Sequence, residues 1–170
     1  KFWGFYSDSP EMASTLKDIN YDSGYLSGTY SEVGNFGEIL VNRSSGIDLS
    51  SYDMDQAFLI FDVYMENADL IDDFVTEFGN KMDTKEIQWA KTEHPFFQNG
   101  WNEVKLPISS GIKTGEIDWA DTNYFRAYFK FSDTNKIGIK NVRIEAPKKV
   151  EVAEGSNTLT FNGITFDLSS

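Results

Sequence analysis

A chain of 170 residues is long enough to bury one proper core. Its 27 Asp and Glu against 15 Lys and Arg give a formal net charge of -12, a surface that repels nucleic-acid phosphates and anionic lipid. The absence of cysteine excludes disulfide staples and thiolate metal sites, and no apolar run approaches the length of a membrane span.

The opening at Lys1 rather than Met reads as that of a piece cut from a longer protein, with residues 1–170 as a single domain. Residues 1–37 mix Ser, Gly, Asp and Tyr without a clear period. Within them, residues 10–16 read as a short helix, because Pro10 is tolerated at a first helical position. Residues 21–30 read as loop and short strand. Residues 38–42 read as a strand ended by a turn at Ser44-Ser45-Gly46, and residues 48–53 as a capped turn. Residues 57–65 alternate strongly. Leu59, Phe61, Val63 and Met65 share one face; Phe58, Ile60, Asp62 and Tyr64 share the other. Residues 74–78 and 86–90 are further strands, separated by a turn at Gly79-Asn80, and residues 94–100 form a loop.

Gly100-Trp101-Asn102-Glu103-Val104-Lys105-Leu106-Pro107 reads as a turn feeding a strand with Val104 and Leu106 on one side and Glu103 and Lys105 on the other. Residues 124–131 alternate again, with Phe125, Ala127, Phe129 and Phe131 apolar and Tyr124, Arg126, Tyr128 and Lys130 opposite. Ile137 and Ile139 are out of phase with Val142 and Ile144, which predicts a β-bulge near Lys140-Asn141. Pro147 closes this unit, and Asn162-Gly163 between two alternating segments predicts a hairpin. Many short strands and few helices imply an all-β fold, an antiparallel β-sandwich. The length and irregular opening favour its jelly-roll form.

From the middle onward the chain resembles bacterial extracellular carbohydrate-binding β-sandwich domains. The resemblance rests on Asp48-Leu49-Ser50 with Tyr52, on Val63-Tyr64-Met65, and on Asp83, Glu86 and Trp89 at their spacing. It continues through Gly100-Trp101-Asn102 with Val104 and Leu106-Pro107, then Ile117-Asp118, Asn123, Phe125-Arg126 and Tyr128, and ends in Asn141-Val142-Arg143-Ile144. It spans residues 47–145 and marks framework more than ligand. It implies a noncatalytic, monomeric module of a multidomain extracellular or cell-surface protein. Such a module would hold a neutral polysaccharide, with an α-glucan such as starch as the first expectation.

Sugar recognition needs flat aromatic faces and a few polar groups for hydroxyls. Tyr64 with Asp62, and Arg126 with Tyr128, offer both on polar strand faces and would form one platform if their strands are neighbours. Trp3, among Phe2, Phe5 and Tyr6, and Trp119, in a loop-like segment, are the further candidates, with Tyr25 and Tyr30 behind them. Trp101 and Trp89 are expected in the core. Most of the 14 Phe are expected there too.

Two other functions compete. Glu116-Ile117-Asp118 resembles the carboxylate strand of laminarinase-like glycoside hydrolases, in which alternating carboxylates face one cleft. That motif closes on Glu, whereas Asp121 stands here. The third reading is an adhesion or scaffold domain with a protein partner. His94 is the sole histidine and is expected to be exposed; no nucleophile elbow accompanies it, and a zinc site would lack a second histidine. No cofactor is implied. Asp53-x-Asp55 lacks the glycine and closing Glu of a calcium loop, which leaves only a structural Ca²⁺ on scattered oxygens open.

Overall fold

A computed structural model describes residues 2–3, 12–22, 25–152, 158–161 and 163–167. Its strands, in chain order, are β1 (Phe2–Trp3), β2 (Met12–Ser14), β3 (Lys17–Asp22), β4 (Tyr25–Tyr30), β5 (Gly37–Ile47), β6 (Phe58–Met65), β7 (Ile71–Lys81) and β8 (Lys85–Trp89). They continue with β9 (Gly100–Pro107), β10 (Ile112–Thr114), β11 (Thr122–Phe131), β12 (Asn135–Glu145), β13 (Glu151–Val152), β14 (Thr158–Phe161) and β15 (Ile164–Asp167). Two six-stranded antiparallel sheets form a β-sandwich of jelly-roll type. The first has the order β3-β4-β12-β6-β9, with β1 also paired to β12; the second has the order β10-β8-β7-β11-β5-β2. Among the described residues, strands β13, β14 and β15 form a separate three-stranded sheet. No helix among the described residues is long and apolar enough to cross a membrane.

Alternation builds the core. Leu59, Phe61, Val63 and Met65 of β6 and Phe125, Ala127, Phe129 and Phe131 of β11 are fully buried, as their period predicts. Across the sandwich, Phe61 meets Phe125 edge-on at 5.5 Å and stacks on Phe74 at 6.5 Å; within the second sheet, Phe74 stacks on its cross-strand neighbour Phe129 at 6.1 Å. Each such pair contributes about 0.5–1.5 kcal/mol beyond area burial. Trp89 is buried as expected, and its indole N–H donates to the Pro107 carbonyl at 3.0 Å, so no polar atom is orphaned.

Four local expectations need correction. Residues 12–14 are a strand paired with β5 rather than part of a helix; Pro10 and Glu11 lie outside the described residues. Sheet pairing overrides a weak helical preference in so short a segment. Within residues 21–30 the expected short strand is β4, and residues 21–22 are not loop but the end of β3, which pairs with it; residues 23–24 lie outside the described residues. No turn interrupts residues 44–46, since β5 runs on to Ile47. Gly46 serves close approach instead: its N–H donates to Asp121 Oδ1 at 2.8 Å, and a Cβ there would sit 2.3 Å from the same oxygen. Likewise β7 runs through Gly79-Asn80, and the chain turns at residues 82–84, where Asp83 has φ +62. Asn80 braces the loop before β11, donating to the carbonyls of Asp118 and Asp121 at 2.9 and 2.7 Å.

The bulge in β12 stands where the phase slip predicts it: the register to β6 shifts between Lys140 and Arg143, and Asn141 has φ +56. Hairpin β14–β15 pairs Phe161 with Ile164 and has Gly163 at φ +79; Asn162 lies outside the described residues.

Candidate functional site

The outward row of β11 carries Tyr124, Arg126 and Tyr128, because Phe125, Ala127 and Phe129 point inward. Register sets their neighbours. Arg126 lies opposite Glu77 of β7 and Leu40 of β5, Tyr128 opposite Val75 and Glu38, and Glu77 in turn opposite Gln88 of β8. These side chains form one network on the outer face of the second sheet.

Glu77 is its hub. Only 2% exposed, it accepts from the Tyr124 hydroxyl, from Gln88 Nε2 at 3.0 Å and from Arg126 Nη1 at 3.4 Å. Arg126 Nε donates to Glu38 Oε2 at 2.9 Å, so one guanidinium spans two carboxylates. Its carbon lies 4.6 Å from the centre of the Tyr128 ring. Gln88 Nε2 also donates to Tyr128 Oη at 2.8 Å. The phenol oxygen therefore accepts, and its own proton remains to be donated outward.

Burial and neighbouring charge set the protonation of Tyr124 and Arg126. Burial pushes the Tyr124 phenol far above its ordinary value, and the bond to Glu77 adds to the shift, so it stays a neutral donor. For Arg126, burial alone would lower the value, but the Glu77 and Glu38 charges outweigh it and hold the guanidinium charged. Burial also raises Glu86 of β8; its Asp83 backbone hydrogen bond opposes the rise and the Glu77 charge adds to it. Glu86 Oε2 is buried without a hydrogen-bond partner among the described residues.

An exposed ring completes this surface. Phe36, 49% exposed, meets the Tyr128 ring edge-on at 5.4 Å. The turn that presents it is anchored from inside: the buried Tyr30 hydroxyl donates to the Asn35 carbonyl at 2.7 Å, and Asn35 N–H donates to the Glu32 carbonyl at 2.9 Å. Phe36, Glu38, Glu77 and Gln88 are not among the candidates singled out from the sequence, and Glu86 enters only as a framework position of the resemblance. Period two along residues 74–78 marks Glu77 as outward, and Phe36 stands out as an aromatic in a polar turn.

The remaining candidates fall elsewhere. Strands β6 and β11 belong to different sheets, so Tyr64 and Asp62 look out from the opposite face to Arg126 and Tyr128, and the single platform does not form. Alternation assigns a residue to a face of its strand but not to a sheet. Asp62 instead accepts from Asn141 Nδ2 at 2.5 Å. Trp119 is half-buried against the core, and its carbonyl accepts from Leu49 N–H at 2.6 Å. The backbone of Trp3 pairs with Val142; its side chain lies outside what is described.

Trp101 is not in the core: it is 43% exposed on the outer face of the first sheet, in register with Tyr64. His94 is not exposed. It is 8% accessible, with Nδ1 donating to the Ala90 carbonyl at 2.8 Å and Nε2 2.8 Å from the Thr76 hydroxyl. Burial lowers its pKa.

Residues 115–121 are loop rather than strand, so Glu116 and Asp118 lack the alternation of a hydrolase cleft. The Asp118 carboxylate accepts from Ala120 N–H at 3.0 Å, and that of Asp121 from Gly46 N–H. No group of three or more His, Asp or Glu among the described residues is placed to hold a metal ion. A hollow of about 470 Å³ at one end of the sandwich, beside Ile71, Lys91, Pro95 and Phe96, is larger than any recess described on the sheet faces, but its Lys91 ammonium is tied to the Ile71 and Asp72 carbonyls.

No family model and no curated protein sequence matches the chain. Solved structures match it in fold. A family 30 carbohydrate-binding module aligns with a TM-score of 0.56 at 16% identity, covering 89% of this chain and 80% of that one. The family 11 carbohydrate-binding module from Clostridium thermocellum, in complex with a β-1,3-1,4-mixed-linked tetrasaccharide, aligns with a TM-score of 0.59 at 10% identity, covering 86% and 95%. An agarase aligns with a TM-score of 0.59 at 9% identity over 80% of this chain but 24% of its own length. At such identities the likeness is one of fold.

Proposed function

We propose that the chain is a noncatalytic carbohydrate-binding module that holds a neutral polysaccharide on the outer face of its second sheet. The observation that carries this reading is the locked network of Glu77, Arg126, Gln88 and Tyr128 beside the exposed ring of Phe36. A pyranose stacks its apolar face on Phe36, while the Tyr128 proton and the Arg126 guanidinium meet its hydroxyls. Because the protein holds these donors in place beforehand, little side-chain entropy is lost on binding. The Glu77 lone pairs are already engaged by three donors, which suits an acceptor that positions neighbours better than a nucleophile.

The fold shared with modules of families 30 and 11 supports the same class of ligand. The resemblance in sequence points to starch; the mixed-linked β-tetrasaccharide bound by the family 11 module adds β-glucans, and the agarase adds agarose. The module works as a monomer, without a cofactor, outside the cell or on its surface. It performs no chemistry and raises the local concentration of whatever it is joined to, with weak single contacts multiplied by repetition.

Affinity-gel electrophoresis over starch, mixed-linked β-glucan, hydroxyethylcellulose and agarose tests this. We expect retardation in at least one gel and its reduction by Phe36→Ala, a change at an exposed ring that leaves the fold alone. Arg126→Ala is the poorer probe. It strands the buried Glu77 charge, at a cost of about 3 kcal/mol in stability. Free migration of the wild type in every gel would overturn the proposal.

A further inference from the structure

The outer face of the first sheet is divided in character. One half bears ion pairs and a cation over an aromatic ring: Arg143 with Glu103 and Glu145, and Lys105 over Phe58. The other half bears a contiguous set of three rings. Trp101 of β9 lies 5.5 Å from Tyr64 of β6 and 5.4 Å from Tyr25 of β4, each tilted by about 60° in the manner of aromatic pairs. In sheet order, β12 and β6 stand between β4 and β9, so Tyr25 and Trp101 meet only by leaning inward over those strands. Gly138 of β12 makes this feasible. A Cβ at that position would lie 2.7 Å from Tyr25 Cε2 and 3.0 Å from its hydroxyl.

Beside these rings lies a recess of about 300 Å³, lined by Asp18, Tyr25, Ser27, Thr29, Tyr64 and Lys136. It offers hydroxyls that donate and accept, one carboxylate and one ammonium. The Lys136 ammonium also faces Glu66 at 3.9 Å, and the hydroxyls together with the neighbouring rings suit a polyhydroxylated ligand that needs apolar surface on one side. Lys140 caps the indole, its Nζ 3.9 Å from the Trp101 ring centre, on a flexible stem that can swing aside.

We infer that Tyr25, Tyr64 and Trp101, with the adjoining recess, form a second glycan-binding surface, on the side of the sandwich opposite the Arg126–Tyr128 face. The inference rests on the reading of the chain as a carbohydrate-binding module and extends it to two sites. With both sites filled, one module bridges two polysaccharide chains, which a single face does not do.

Calorimetric titration with maltohexaose, cellohexaose, the mixed-linked β-tetrasaccharide and an agarose hexasaccharide counts the sites. We expect two ligands per wild-type chain and one per chain in both Trp101→Ala and Tyr128→Ala. Tryptophan emission should change on titration of Tyr128→Ala and stay constant in the double variant. A single site unaffected by Trp101→Ala would overturn this inference and leave the Arg126–Tyr128 face standing. A single site abolished by Trp101→Ala and untouched by Tyr128→Ala would uphold the second surface and remove the first. Absence of binding to every probe would overturn both.

Discussion

Glu77 sets the geometry of the residues around it. Buried and triply hydrogen-bonded, it orients Tyr124, Gln88 and Arg126, and through Gln88 it fixes the direction of the Tyr128 hydroxyl. Its neighbour Glu86 has the opposite character, with one carboxylate oxygen unpartnered and its pKa raised mainly by burial. The folded chain therefore holds this proton more readily than the unfolded one does. The stability contributed by Glu86 is fully present below its ordinary value of 4.5 and is lost as pH rises through the raised folded value. Glu86→Gln removes that loss. Thermal melts should show the variant with a higher Tm than the wild type at pH 7 and a gap that closes in acid; an equal gap at both ends would contradict this account of the site.

At the scale of strands, alternation did most of the work. The buried rows of β6 and β11 and the bulge in β12 follow from period two and a single slip of phase. The bulge depends on Asn141, whose left-handed backbone suits asparagine and whose side chain donates to Asp62. Asn141→Val is expected to cost about 2 kcal/mol from its backbone alone. Asn141→Gly should lose about 1 kcal/mol with the hydrogen bond. Urea unfolding separates them, and equal destabilisation would show that the left-handed turn is not the constraint. The same alternation placed Trp101 two residues from Glu103, on its outward side, so its exposure was legible, although tryptophan's usual burial argued otherwise. His94 was not legible: its burial comes from a hydrogen bond to Thr76 of β7 and from packing on Phe74, contacts between segments 18 and 20 residues apart. Nor was the division of Tyr64 and Arg126 between opposite faces, which depends on strand order across two sheets rather than on any local period.

The two six-stranded sheets enclose an aromatic-rich core and present two differently furnished outer faces. Phe61 of the first sheet packs on Phe74 and Phe125 of the second and ties the sheets together across the core. The Glu77 network and the three rings around Trp101 are already in place, whereas Lys140 has to swing off the indole to free that ring. A net charge of -12 suits a neutral ligand that the charge neither attracts nor repels. The most direct test of the account uses the Trp101→Ala protein, in which only the second sheet's face remains to bind, titrated calorimetrically with an oligosaccharide of the polysaccharide that retards it. We expect measurable binding that Tyr128→Ala weakens by about tenfold or more, equivalent to about 1.4 kcal/mol, with the fold intact. Unchanged affinity after adding Tyr128→Ala, and again after adding Phe36→Ala, would contradict it.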